Sequence, residues 1–160
     1  MSAVRRTSKR GFTLVEILIV VIILGILAAI VIPQFTSAST DARNNSLKSL
    51  LQTMRSQVEL YKLQHNDQLP GVDDDGDIDA ADFWADLTGR TNPDGTTGGN
   101  LGPYLQSTPV NPLTQRSGLF VASTELEPGD ASGAADTDGF LITPLGKIFG
   151  IAADGKVFAE

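Results

Sequence analysis

Two groups near the amino terminus are placed to do chemistry: the peptide bond between Gly11 and Phe12, and the carboxylate of Glu16. Gly11 has no Cβ, so an extended backbone there can be approached closely. Glu16 lies within an apolar run. A charged side chain at a bilayer centre costs about 2.5 kcal/mol or more and ordinarily has a defined partner. A second constellation is Asp73, Asp75, Asp77, Asp79 and Asp82, spaced around Gly76. A calcium loop of the EF-hand type places oxygen ligands at positions 1, 3, 5, 7, 9 and 12, with glycine at 6. With Gly76 at position 6, the five aspartates fall at 3, 5, 7, 9 and 12, and Gly71 leaves position 1 without a side-chain ligand. A divalent cation, Ca2+ by this donor set, would relieve the mutual repulsion of these carboxylates. Asp130, Asp136 and Asp138 form a second acidic candidate for a metal.

No catalytic constellation accompanies these groups. Cysteine is absent, which excludes disulfides, thiolate nucleophiles and thiolate metal sites. The single histidine, His65, is isolated and reads as a surface residue at a helix end. No G-x-S-x-G elbow or phosphate-cradling loop is present. The carboxylate pairs lie in acidic loops without a shaped pocket, so the chain reads as a non-enzyme.

The elements that position these groups follow from charge and hydropathy. Phe12–Ile32 is an apolar run of 21 residues in which Glu16 is the only charge, long enough to cross a bilayer as a helix. Arg5, Arg6, Lys9 and Arg10 precede it, and no further basic residue appears until Arg43. That asymmetry places residues 1–11 in the cytoplasm and the remainder outside in a single pass, which in a bacterium means an inner-membrane anchor with the body in the periplasm or at the cell surface. A secretory signal would carry its cleavage site after a shorter apolar region, not before it. The formal charge is −7; removal of Met1–Gly11 leaves eight basic against nineteen acidic residues, near −11. A body so acidic is repelled by phosphates, and no direct nucleic-acid binding is expected.

The string GFTLVEILIVVIILGILAAIVIPQF closely resembles the amino terminus of type IV prepilins and of the pseudopilins of type II secretion. The likeness is strong over residues 5–35, fair to about Gln64 and weak beyond. The resemblance implies that a prepilin peptidase cuts after Gly11 and methylates the new terminus at Phe12. It implies that Glu16, one turn away, neutralises the terminal amine of a neighbouring subunit during docking. Gly25 and Pro33 fall where the family has a curved, locally meltable helix. Further implied partners are an assembly ATPase, an inner-membrane platform, minor pilins or pseudopilins, and copies of the same chain in a homopolymer. Many pilus-forming relatives clasp a carboxy-terminal loop with two cysteines, which this chain lacks.

Beyond Pro33, Leu47, Leu50, Leu51, Met54, Val58 and Tyr61 make one apolar stripe at helical spacing. Residues 33–66 therefore read as an amphipathic continuation of the membrane helix. A helix from Phe12 to His65 would be about 80 Å long at 1.5 Å per residue. Proline removes one helical hydrogen bond, so Pro33 either kinks this helix or ends it; the kink is the reading adopted. Pro70 and Gly71 stop the helix, and residues 67–160 read as a head. Within it, Phe83, Trp84 and Leu87 predict a short helix. Leu119–Ala122, Phe140–Ile142, Ile148–Ile151 and Val157–Ala159 predict strands, with turns at Thr143–Lys147 and Asp154-Gly155. The expected class is α+β: a long amino-terminal helix laid on a small antiparallel sheet, as in type IV pilins. Thr108-Pro109-Val110-Asn111-Pro112 resembles a proline-containing segment of major pseudopilins, but Asn111 stands where that family usually has aspartate. The acidic loop also resembles the calcium loop of dockerin-type repeats, present here once, and major pseudopilins bind calcium in a carboxy-terminal loop.

Three roles are compatible with this reading. The favoured one is the subunit of a periplasmic pseudopilus that exports folded proteins. The others are a major or minor pilin of a surface pilus (adhesion, twitching, DNA uptake) and a membrane-tethered calcium-binding module that never polymerises.

Overall fold

The computed structural model describes residues 11–73, 75–123 and 133–158. Met1–Arg10, Asp130 and Ala159 therefore lie outside the described residues. The elements in chain order are α1 (Leu14–Gln64), α2 (Ala80–Thr88), β1 (Gly118–Val121), β2 (Asp138–Ile142) and β3 (Ile148–Gly150). The chain forms two compact units, Met1–Asp41 and Ala42–Glu160, and α1 contributes to both.

In the first unit α1 is fully exposed along its apolar run, and it is long and apolar enough to cross a membrane. Pro33 does not end it. Just beyond Pro33, three hydroxyls turn back onto the helix: Thr36 donates to the Ile32 carbonyl at 3.2 Å, Ser37 to Pro33 at 3.3 Å and Thr40 to Thr36 at 3.1 Å.

The second unit is built around the stripe read from the sequence. Leu47, Leu51, Met54, Val58 and Tyr61 are buried, and Leu50 packs at their margin. They meet Phe83 and Leu87 of α2 and Leu119, Phe140, Ile142 and Ile148 of the sheet. Strand alternation sends Leu141 to the opposite face, where it packs with Ala122, Ile151 and Val157. Trp84 packs edge-on against Phe83 and Phe140, with centroids 5.1 and 5.9 Å away, which is a core role.

The sheet has the order β1-β2-β3 and is mixed, not wholly antiparallel as the runs suggested. β2 and β3 pair antiparallel through the expected turn, closed by the Thr143 N–H to the Lys147 carbonyl at 3.0 Å. β1 pairs parallel to β2. Sixteen residues separate Val121 from Asp138, room enough for the crossover a parallel pair requires. The fourth predicted strand is reduced to a bridge between Ile151 and Val157 across the Asp154-Gly155 turn.

Of the four polar residues buried among the described residues, His65 and Asn111 organise the most hydrogen bonds. His65 is not at the surface: it is 0 % exposed. Positive φ at Asn66 and Asp67 turns the chain sharply after α1, and the imidazole stacks on Tyr61 with centroids 3.7 Å apart. Its Nδ1 donates to the Tyr61 carbonyl and its Nε2 shares a hydrogen bond with the Thr91 hydroxyl, both at 2.8 Å. Tyr61 in turn donates to Asp86 at 3.0 Å. Burial, then the neighbouring Asp86 carboxylate, pushes the Tyr61 phenol up. The stability held by the neutral phenol is thus complete below its ordinary pKa of about 10 and lost only in stronger alkali. Asn111 is also fully buried. Its amide donates to the carbonyls of Gly139 (2.6 Å) and Ile151 (2.9 Å), and its Oδ1 accepts from the Leu113 N–H at 2.8 Å.

Candidate functional site

The start of α1 is shaped by four residues. The Thr13 carbonyl accepts the first helical bond, from the Ile17 N–H at 3.3 Å, which makes Thr13 the cap. Its hydroxyl accepts from the Glu16 N–H at 3.2 Å, and the Glu16 carboxylate reaches back to the Thr13 N–H at 3.5 Å. This is a reciprocal capping box. Thr13 was not singled out from the sequence, although the T-x-x-E spacing is the signal for it. The box holds the carboxylate at the positive end of the helix dipole, beside Phe12. Glu16 therefore has a partner within its own chain, and its remaining acceptor capacity faces outward, since Phe12 and Glu16 are both exposed. Gly11 and Phe12 lie ahead of the helix and are exposed, and a Cβ on Gly11 would meet nothing within 4 Å. The glycine is thus permitted here, not required by packing. Gly25 likewise borders open space.

The acidic loop is organised by its own backbone. Asp73 Oδ1 accepts the N–H groups of Asp75 and Asp77, each at 3.0 Å, and Val72 pairs with Ile78 across the loop. Gly76 occupies φ +90°, the sharp turn expected at position 6. Asp79 caps α2 by accepting from Ala81 (2.7 Å) and Asp82 (3.0 Å). Position 1 is closed to any side chain: a Cβ on Gly71 would lie 2.4 Å from the Phe83 nitrogen. Asp136 stands 3.9 Å from Arg116, and Asp138 Oδ2 accepts from the Ala135 N–H at 2.7 Å. Among the described residues no three acidic or histidine side chains converge as a metal site. The loop's structural role has its own test. Asp79→Ala removes an N-cap and is expected to cost the detergent-solubilised chain about 1 kcal/mol, read as a lower urea midpoint.

Comparison with known proteins locates the likeness in the same region as the site. A family described as "Prokaryotic N-terminal methylation motif" matches residues 6–32. Type II secretion system core protein G of Pseudomonas aeruginosa is 41% identical over 61 residues, 38% of this chain and 43% of that protein. Its counterpart in Klebsiella michiganensis is 39% identical over 62 residues, 39% of this chain and 44% of that protein. Competence protein ComGC of Bacillus subtilis is 34% identical over 67 residues, 42% of this chain and 68% of that protein. The chain thus spans less than half the length of the two secretion relatives. No solved structure matches.

Proposed function

We propose that this chain, which belongs to the type IV pilin-like proteins, is a structural subunit of a type II secretion pseudopilus. The observation that carries the reading is the junction itself. An exposed Gly11–Phe12 bond opens directly into an exposed apolar run of membrane length, and the one carboxylate of that run is held one turn away by Thr13. Prepilin peptidase would cut after Gly11 and methylate Phe12. The apolar half of α1 would hold the subunit in the inner membrane with its head in the periplasm. An assembly ATPase and membrane platform would add it to a homopolymer completed by minor pseudopilins, which helps export folded proteins. Identity of about 40% to the core protein G relatives over 62 and 61 residues supports this role.

A surface or competence pilus is a second reading, favoured by the likeness to ComGC, most of whose length is covered. Mass spectrometry of sheared filaments against washed envelopes separates the two. A pseudopilin stays in the envelope with methylated Phe12 at its terminus, and a pilin dominates the sheared fraction. An intact Met1 in both fractions would overturn filament processing altogether.

Calcium binding by Asp73, Asp75, Asp77, Asp79 and Asp82 is a separate proposal, supported by their spacing around Gly76 alone. If it holds, chelator lowers the thermal midpoint of the head and added calcium restores it. An unchanged midpoint ends it, and the tethered calcium-module alternative with it.

A further inference from the structure

We propose that the lipid-contacting part of α1 extends past Ile32 to about Thr40, so that the outer boundary of the anchor is a graded segment. The inference rests on the membrane anchoring of α1 and adds a lipid surface to residues 33–40, which the hydropathy of Phe12–Ile32 leaves out.

Three observations carry it. No Asp, Glu, Lys or Arg occurs from Ile17 to Thr40, and Asp41 is the first charge after Glu16. The apolar run continues on one face: Leu24, Leu27, Val31, Phe35, Ala38 and Ala42 follow each other at spacings of three and four. Phe35 on that face is 73% exposed, a large aromatic with no protein cover immediately outside Pro33. The opposite face carries Thr36, Ser37 and Thr40, whose hydroxyls donate to carbonyls of the preceding turn. A hydroxyl satisfied by its own helix no longer presents an unpaired donor to hydrocarbon, which removes the main cost of bringing that face into the bilayer. One face is therefore attracted to lipid and the opposite one tolerates it, while Gln34 and Ser39 between them keep the segment graded. Charge returns at Asp41 and Arg43, where immersion stops.

The consequence is a subunit that occupies a range of depths. Eight further residues correspond to about 12 Å of helix at 1.5 Å per residue. Such a subunit can rise along the membrane normal without first exposing its apolar run to water, as extraction into a filament requires.

The absence of cysteine makes the test clean. Ala28→Cys, Ala38→Cys and Asn45→Cys are made singly in the full chain, which is reconstituted into phosphatidylethanolamine–phosphatidylglycerol vesicles and treated with an impermeant maleimide. The expected result is that Ala38→Cys, like Ala28→Cys, labels at least about tenfold more slowly than Asn45→Cys, the ratio set by burying one phenylalanine side chain. Adding Phe35→Asn should restore fast labelling at position 38 and leave position 28 protected. Protection at 28 with fast labelling at 38 in the parent chain overturns the proposal and leaves the anchor standing. Fast labelling at both positions overturns the anchor and the proposal together.

Discussion

Glu16→Gln is expected to leave the chain processed and membrane-bound and to abolish its assembly into filaments. Glutamine at the third helical position satisfies a capping box as glutamate does, so the reciprocal bonds with Thr13 survive and α1 still starts at Leu14. What is lost is the charge. If the carboxylate neutralises the amine of methylated Phe12 on an incoming copy, that amine is left unpaired in a medium of low dielectric. Removing one partner of such a pair costs about 3–5 kcal/mol, a drop of more than about hundredfold in the docking equilibrium. Glu16→Leu removes the charge and the carboxylate's half of the capping box, while the Thr13 hydroxyl still accepts from the N–H of residue 16, and it should do no better. Normal filament yield from Glu16→Gln, with failure confined to Glu16→Leu and Thr13→Ala, would assign Glu16 to shaping the helix start. Loss of the chain from the membrane in any of the three would point instead to a fault in insertion. Filament yield and membrane retention, measured on the same cells, decide among these outcomes.

Asn111→Asp is expected to destabilise the head by about 3–5 kcal/mol near neutral pH, a large part of the 5–15 kcal/mol a domain of this kind possesses. The substitution is nearly isosteric, so no cavity is made. Its effect is to aim a carboxylate oxygen, in place of the amide donor, at the Gly139 and Ile151 carbonyls in a fully buried position. Ionisation is then opposed by burial and by both carbonyls, and the folded pKa of the new carboxyl is raised above its unfolded value near 3.9. The penalty is absent below the unfolded pKa and grows as pH rises towards the folded one. Urea midpoints at pH 4 and pH 7 test this: the gap to wild type should be markedly smaller at pH 4, where the protonated acid donates to one carbonyl. Equal gaps at the two pH values would show that the loss is one of hydrogen-bond geometry and not of charge. The network also gives a physical reason for the departure at this position: asparagine donates to both carbonyls and accepts from Leu113, which a carboxylate cannot do.

The parts of the fold that could be read from sequence are those with long periodicity. Six apolar residues from Leu47 to Tyr61 at helical spacing locate the core stripe; five are buried and Leu50 packs at their margin. Phe83 and Leu87 place α2, and short apolar runs bounded by Gly and Pro place all three strands within a residue or two. Strand direction was not legible, because β1 is parallel to β2 through a connection with no periodic pattern of its own. His65 was misplaced for a different reason. Its burial depends on Thr91 and the ring of Tyr61, a pairing 26 residues distant in the first case, and a polar side chain at a helix end carries no local mark of such partners. At the candidate site the residue types were legible, but the role of Thr13 was overlooked beside the more conspicuous glutamate. The acidic loop shows the limit of matching a template by spacing. Gly71 looks like a missing ligand in the string, whereas in the fold it is the point where the chain passes against Phe83.

Arg55 donates through Nε and Nη2 to the Ile148 carbonyl at 3.1 and 2.7 Å, and its guanidinium lies 5.7 Å from the Phe149 ring centroid. The neighbouring outward carbonyl of β3, Gly150, accepts from the Phe158 N–H at 2.7 Å. A sheet edge so occupied offers few acceptors to a strand from another molecule. If copies of this chain crowd in a membrane, as the proposed role requires, edge-to-edge addition of heads would compete with ordered stacking of helices. Stoppering the β3 edge with a side chain from α1 ties the protection of that edge to the folding of the helix itself.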